Sequence, residues 1–236
     1  MQIEPELGEC SIVLLGHFNP IIFSPLWFAK NGIVSEEAAK AATVSGDLII
    51  HPRFAAFQLG SIRLQVEETR LFARTSEAPW VNLCDFIART FGEFLVHTPI
   101  NQMGINRTVH FSVGSEETRN KIGRIIAPPE PWGIWGKEIE ASRGSMRDGC
   151  VNLTMLQHKT ACNGYTGFVQ VSVQPSDFVR ANAGLFVTVN DHYEFKPMDK
   201  TVGCNEVIDV LIGEFEGSIR NSEEKIDIVM EMKDFP

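Results

Sequence analysis

The stretch NQMGINRTVHFSV, residues Asn101 to Val113, decides the predicted fold. Ile105, Val109 and Phe111 fall on one face of a strand while polar residues occupy the other face, the period-2 pattern typical of a sheet with one wet side. Arg107 interrupts the apolar face. Similar orders of predicted elements precede and follow the stretch, so we interpret it as the start of the second of two similar halves.

The half before this stretch is predicted to contain a strand, short helices, a meander and a long helix. The first strand covers residues 11–18 and ends at Asn19-Pro20. Ser24 and Ser35 are placed to cap the two helical pieces that follow. Extended runs are predicted at 48–59, 61–66 and 70–75, and apolar residues recur every three or four positions from Trp80 to Leu95, which indicates a long amphipathic helix on the sheet.

The second half repeats this order. Ser115 begins a helix that ends before Pro128-Pro129, and a proline- and glycine-rich connector follows through Gly136. Three strands are predicted at 150–157, 165–174 and 185–195. A terminal helix carries an apolar stripe over 208–219, and residues 226–232 either prolong it or form one more short element.

These elements predict an α+β protein with two similar β-α-β-β-β-α halves, residues 1–100 and 101–236, in one compact body. The halves would form a largely antiparallel curved sheet backed by two long helices on the same face, a saddle or helix-grip arrangement. Residue identity between the halves is negligible and β-β-β-α runs are common, so duplication and coincidence both stay open.

The charge balance argues against nucleic acid as the main partner. The 236 residues carry a net charge of −9, and the 21 basic residues are dispersed, whereas phosphate backbones are bound by clustered Lys and Arg. The densest basic group, Arg119, Lys121 and Arg124, shares a predicted helix with Glu116 and Glu117. We therefore interpret that group as a solvated helix face.

The cysteines and the apolar runs exclude other classes. Five scattered cysteines, with no Cys-x-x-Cys pair and no zinc spacing, are predicted to be reduced thiols, and Cys84 is predicted to be buried on an apolar helix face. No apolar run approaches the roughly 20 residues of a membrane span. The N-terminal residues lack the basic region of a secretory signal, so we expect a cytoplasmic protein.

Four short motifs carry a family resemblance: Phe18-Asn19-Pro20, residues 23–28, residues 104–107 and residues 190–193. Through them the chain resembles a sporadically distributed family of uncharacterised bacterial proteins of about this length. The likeness covers most of the chain. It implies a bacterial origin and transfers no activity and no functional residue. The repeated order of elements also resembles the duplicated saddle of TATA-binding-protein-like domains, at the level of the fold alone.

The first candidate site is the run Asn190, Asp191, His192, Tyr193 and Glu194. On a strand, Asn190, His192 and Glu194 project to one side, and Asp191 projects to the other. His192 and Glu194 are the pair that can share a metal or a proton-transfer site, but two ligands are too few. A polar strand end is the favoured interpretation.

The second candidate is Asn106, Arg107 and His110. Arg107 is in phase with the apolar face, where its charge needs a carboxylate, a carbonyl or an anionic ligand, and a structural partner is favoured over a ligand. Asn106 and His110 face the other way. The third candidate is Trp132 and Trp135 of the connector, for which partner contact and a lid on the core are weighed evenly.

Three functions remain open from the sequence. The leading one is a non-catalytic binding or adaptor protein that acts through a sheet face or edge and forms a homodimer. Its protein partner is expected among co-encoded proteins, and neither a cofactor nor a metal is expected. The alternative is a metal-dependent hydrolase or nuclease with a site across the sheet, formed by His110, Asp191, His192 and Glu194. The third is a small apolar ligand held between sheet and helix.

Overall fold

The structure, a computed structural model, describes residues 1, 4–141, 149–159 and 164–235 and contains one nine-stranded sheet. Every neighbouring pair of strands is antiparallel, which confirms the predicted α+β class with an antiparallel sheet. The strands are β1 (Leu7–Gly16), β2 (Ile49–His51), β3 (Phe54–Leu59), β4 (Ile62–Glu67), β5 (Arg70–Thr75), β6 (Ile100–Ser112), β7 (Leu153–His158), β8 (Thr166–Pro175) and β9 (Gly184–Glu194).

The strand order is β2-β3-β4-β5-β1-β6-β9-β8-β7. The stretch Asn101 to Val113 corresponds to β6, which lies in the middle of the sheet beside β1, with Ile12 opposite Ile105. Reading outward from this central pair, β1 is followed by β5, β4 and β3, and β6 is followed by β9, β8 and β7. Each half therefore places its first strand at the centre and the last strand of its meander next to it.

Serine hydroxyls begin three of the helices, as the sequence predicted. Ser24, Ser35 and Ser115 each accept a hydrogen bond from the backbone N–H three residues later, at 3.2, 3.2 and 3.0 Å, and so satisfy a donor that the first turn leaves free. The described helices are α1 (Pro25–Lys30), α2 (Glu36–Val44), α3 (Val81–Arg89), α4 (Glu116–Ile126), α5 (Gly133–Ala141) and α6 (Asn205–Glu231).

The two long helices predicted from apolar stripes are present. A π-helical segment, Thr90–Phe94, continues α3, so the helical stretch covers most of the predicted stripe from Trp80 to Leu95. The stripe at 208–219 and residues 226–231 belong to one element, because α6 runs without a break for 27 residues. Residues 226–231 therefore prolong the terminal helix, and Met232 begins a short 3-10 turn, Met232–Asp234.

Two expectations in the second half need correction. The connector predicted for 128–136 contains a 3-10 turn, Glu130–Trp132, followed by α5 from Gly133. Its prolines precede α5 and leave the backbone N–H groups of the later residues free to bond. Arg119, assigned to a solvated face, is 6% exposed and bonds to Glu116 and Asn120, because α4 turns this side toward the rest of the fold.

Helices pack on one face of the sheet, called the covered face. Phe28 of α1 contacts the ring of Phe57 on β3 at 6.2 Å and stacks on Phe86 of α3 at 5.0 Å. In the second half, Ile122 of α4 and Ile226 of α6 join one buried cluster with Val109 of β6. Helices of both halves therefore share one side, and the core lies between them and the sheet.

The cysteines are free thiols wherever the structure describes them. Cys84 is 4% exposed, as predicted, and burial raises the pKa of its thiol to about 12, so that it stays protonated at neutral pH. Cys10, Cys150 and Cys204 are also unpaired, and Cys162 lies outside the described residues. Among the described residues, no helix has the length and apolar composition that crossing a bilayer requires.

Candidate functional site

The opposite face of the sheet, called the open face, carries polar side chains in rows that cross β6, β9, β8 and β7. These rows follow from the strand register, because residues opposite each other in antiparallel strands point to the same side. The amide row consists of Asn106, Asn190 and Gln170. The hydroxyl row consists of Thr108, Thr188, Ser172 and Thr154.

The hydroxyl row is held by contacts between neighbouring strands. The Oγ1 atoms of Thr108 and Thr188 lie 3.2 Å apart, and Thr154 Oγ1 lies 2.9 Å from Ser172 Oγ. Each hydroxyl carries one donor and two acceptor positions, so these pairs leave further hydrogen-bonding capacity. The row is therefore ordered by the sheet and still able to bond to another molecule.

Asn190, at the centre of the amide row, has an unmet hydrogen-bond acceptor. Its Oδ1 is buried and has no hydrogen-bond partner among the described residues. The side chain lies over Gly104, where a Cβ atom would be only 3.1 Å from Oδ1. Glycine at position 104 thus makes room for the asparagine. An unmet buried acceptor costs about 1–3 kcal/mol, so Asn190 is a locally destabilising residue at the centre of the amide row.

The open face of β6, β9 and β8 is poor in charge. None of its side-chain positions on these three strands holds Lys or Arg, and Glu194 is the one carboxylate. Basic side chains occur on the open face of the first half, where Arg74 pairs with Glu9 at 2.7 Å and Arg63 with Asp47 at 3.7 Å. The centre of the surface therefore offers hydrogen bonds rather than an electrostatic field.

Acidic charge is concentrated on the covered side. Helix α6 carries eight Asp and Glu residues, against Arg220 and Lys225 as its basic residues. A helix with this balance repels anionic groups and other acidic surfaces. The open face, by contrast, can approach an acidic surface without such repulsion.

His110, the third candidate residue of β6, lies near one end of the open face. Its Nδ1 is 2.7 Å from Ser176 Oγ, and the rings of Phe186 and Phe178 lie 4.7 and 4.8 Å from the imidazole. Burial by these neighbours lowers the pKa of His110, because the charged imidazolium loses hydration. The residue is therefore held neutral near pH 7 in an aromatic setting.

His192 and Glu194 are together, as their spacing predicted. His192 Nε2 lies 3.2 Å from Glu194 Oε1, and the imidazole stacks on Phe168 at 4.6 Å. His110 lies elsewhere: Gly104 is opposite His192, and six residues along β6 correspond to about 20 Å. The two histidines are thus at different ends of the open face.

Asp191 lies on the covered face and is 4% exposed. It accepts a hydrogen bond from the Tyr193 hydroxyl at 3.0 Å and forms an ion pair with Lys159, whose ammonium also lies over the Tyr193 ring. Asp191 is thus separated by the sheet from His110, His192 and Glu194. In the described part of the chain, no group of three His, Cys, Asp or Glu residues is arranged to hold a metal.

Arg107 has partners from three directions on the covered face. Its guanidinium bonds to the Glu9 carbonyl at 2.9 Å, pairs with Glu223 of α6 at 3.3 Å and lies 4.4 Å from the Trp80 ring. The side chain is only 2% exposed. The positive charge of Arg107 is therefore balanced by a carboxylate and hydrogen-bonded to a carbonyl of the same chain. This corresponds to the structural partner that the sequence favoured over a ligand.

Trp132 and Trp135 contact each other edge to face, with ring centroids 5.3 Å apart. They are 61% and 56% exposed, and Ile134 between them is 79% exposed. Both indoles therefore present apolar surface to the outside.

Sequence reasoning assigned the polar face of β6, including Asn106 and His110, and singled out Asn190 and His192, but it missed the open-face residues of β8 and Thr188 of β9. Gln170, Ser172 and Thr188 alternate with valines in β8 and β9, so the period-2 pattern was visible for them too. What the sequence did not contain was the register that brings Asn106, Asn190 and Gln170 into one row.

Comparison of the chain with protein-family models gives no match, and comparison with curated proteins gives no match either. The resemblance to a bacterial family therefore stays a prediction, and the function has to be inferred from the geometry of the open face.

Proposed function

We propose that the protein is a non-catalytic binding protein that holds a protein partner against the open face of its sheet. The observation that carries this proposal is the pair of polar rows, the amide row and the hydroxyl row, that cross the central strands of the open face. Peptide and side-chain amides of a partner would supply the matching donors and acceptors. The pairing of strands orders these groups before binding, which lowers the entropic cost of association.

A protein suits this surface better than a nucleic acid. Binding to phosphate backbones draws its affinity from Lys and Arg, and the open-face positions of β6, β9 and β8 contain neither. The net charge of −9 also disfavours binding to phosphate backbones. Phe168 and Phe186 add apolar area to the polar rows, a mixture common in protein interfaces.

The duplication belongs to the same proposal. Three strands outward from β1 (β5, β4 and β3) match three outward from β6 (β9, β8 and β7), with β2 as an extra strand, and this order supports an origin of the two halves from one repeated unit. The same proposal includes a sheet curved as a saddle. Under this proposal the open face would be the concave side, and a partner would contact strands of both halves.

The alternatives have narrower support. For a metal-dependent hydrolase or nuclease, the contact between His192 and Glu194 is the favourable observation, but Asp191 lies behind the sheet and His110 at its other end. For a small apolar ligand between sheet and helices, the aromatic contacts of Phe28 with Phe57 and Phe86 occupy part of that layer.

The proposal is tested by binding with matched variants. Proteins captured from the source cells by the immobilised chain are identified, and the purified partner is titrated calorimetrically against wild type and Thr188→Arg. Thr188 lies in the hydroxyl row, so an arginine there should weaken binding roughly tenfold or more. The control is Ile212→Arg on α6, at a position that is 59% exposed on the covered side.

Equal affinity for wild type and Thr188→Arg, combined with loss of binding in Ile212→Arg, would move the binding surface to the helices and overturn the proposal. Circular dichroism checks that both variants are folded. Metal analysis of the purified protein, with His192→Ala as comparison, tests the hydrolase alternative in the same preparation.

A further inference from the structure

Strand β7 is an outer edge of the sheet with exposed side chains on both sides. Within the described residues it pairs with β8 alone. Met155 is 67% exposed and Leu156 is 48% exposed, on opposite faces of the strand. The sequence Leu-Thr-Met-Leu-Gln-His contains no Lys, Arg, Asp, Glu or Pro. Natural sheets usually protect such an edge with charge, proline or a bulge, and none of these devices occurs in β7.

The backbone of β7 directs hydrogen-bonding groups toward this edge that have no partner strand among the described residues. Lys159 N–H donates to the carbonyl of Gly167 at 2.9 Å, so these two residues form a hydrogen-bonded pair. Hydrogen-bonded positions alternate along an antiparallel strand. Leu153, Met155 and Gln157 therefore direct their backbone groups to β8, and those of Thr154, Leu156 and His158 point outward.

The other edge of the sheet lacks these properties. Strand β2 has three residues, Ile49–His51, and is followed at once by Pro52. Asp47 precedes it, paired with Arg63. A strand this short, bounded by a charge and a proline, offers little template for another strand. Of the two edges, β7 is the one suited to pairing.

From this we infer that β7 pairs with β7 of a second copy of this chain, which would join two sheets into one dimer. Charge restricts where a second copy can bind: two chains of net charge −9 repel each other, and acidic surfaces such as α6 add to this repulsion. The uncharged side chains of β7 let the two copies meet where that repulsion is smallest. Closed twofold dimers are also the commonest soluble assemblies.

The outward backbone groups fix the register of this pairing. In a symmetric antiparallel pair centred on Leu156, this residue lies opposite Leu156 of the second copy, and Thr154 lies opposite His158 of the second copy. All outward N–H and C=O groups are then paired. The twofold axis is perpendicular to the sheet, so both open faces look to the same side. The dimer can be tested separately from the proposed function, because it uses outward backbone groups of β7, whereas the proposed partner surface is centred on the side chains of β6, β9 and β8.

The first test is the mass of the protein in solution. Sedimentation of wild type should give twice the chain mass of 26.3 kDa. Leu156→Lys places two ammonium groups opposite each other and should raise the dissociation constant of the dimer roughly tenfold or more. Ile49→Lys, at a position 48% exposed on the other edge, is the matched control and should remain dimeric.

The second test is the register. In a background with Cys150 and Cys162 replaced by serine, Leu156→Cys should form a disulfide-linked dimer with oxidised glutathione, because directly opposite Cα atoms lie about 5.5 Å apart. Thr154→Cys should not, since its own copy lies about 13 Å farther along the strands. A monomeric wild type, a dimer unaffected by Leu156→Lys, or cross-linking through position 154 rather than 156 would each overturn the proposal.

Discussion

Arg107 and Arg74 both bind Glu9, but from opposite faces of the sheet. Arg107, on the covered face, donates a hydrogen bond to the backbone carbonyl of Glu9, and it also pairs with Glu223 and contacts the Trp80 ring. Only 2% of its side chain is exposed. Arg74, on the open face, takes the Glu9 carboxylate with 47% of its side chain exposed. On the covered face an arginine is thus surrounded by several partners of the protein, whereas on the open face an arginine is partly hydrated.

Two phenylalanines, one on each face, differ in burial in the same way. Substitution of the buried one is expected to change the free energy of unfolding more than any other variant considered. Phe57 is fully buried between the sheet and the helices, so Phe57→Ala should lower the free energy of unfolding by about 3–5 kcal/mol. Phe72 lies half-buried on the open face beside Arg70, and Phe72→Ala should cost about 1–2 kcal/mol. Urea unfolding measures both. Equal losses would mean that the open face is packed as tightly as the covered face.

The two arginines provide the second contrast. Arg107→Ala should lower the free energy of unfolding by about 3 kcal/mol, because it removes the ion pair with Glu223, the hydrogen bond to the Glu9 carbonyl and the packing on Trp80. Arg74→Ala should cost about 0–1 kcal/mol, the usual worth of an exposed ion pair. The measurement is again urea unfolding. A loss for Arg74→Ala as large as that for Arg107→Ala would contradict the assignment of the two faces.

The third contrast concerns pH. Because burial lowers the pKa of His110, the unfolded chain binds a proton more readily than the folded chain near the ordinary histidine pKa of 6.5. The contribution of His110 is therefore fully present above pH 6.5, and it is lost as the pH falls through its lower folded pKa. Wild type should lose more stability than His110→Gln between pH 7 and pH 5. A nuclear magnetic resonance titration that places the His110 pKa at or above 6.5 would rule this out.

The smallest effect is expected in the hydroxyl row. Thr188→Val removes the contact with Thr108 on a face that water reaches, so the free energy of unfolding should change by about 0.5 kcal/mol or less. A double-mutant cycle with Thr108→Val measures the coupling between the two side chains. Strong coupling would indicate that the hydroxyl row stabilises the sheet, and it would contradict the proposed role of the row as a surface for a partner.

Local patterns predicted most of the fold. Alternation identified β6 and β9, serine hydroxyls marked the starts of α1, α2 and α4, and apolar stripes marked α3 and α6, because each of these signals lies within a few neighbouring residues. The prediction of a connector at 128–136 was wrong in part, because proline and glycine favour both a turn and the start of a helix.

Long-range partners were beyond the sequence. Nothing near Arg107 indicates Glu223, which lies on α6, and nothing near Arg119 indicates that α4 buries it. In the candidate site, Asn106 and Asn190 were predicted to face outward, but their position in one row depends on how β6 and β9 are registered. Register is set by the packing of whole strands, and a single sequence leaves it open.

The position of β1 at the centre of the sheet determines when each half can be completed during synthesis. Ile12 pairs with Ala73 on one side and with Ile105 on the other, so its second neighbour is translated about 90 residues later. Until β6 leaves the ribosome, β1 is itself an open edge of a half-built sheet. The emerging chain therefore depends on prompt arrival of its own second half, and a pause in translation before residue 100 should favour aggregation.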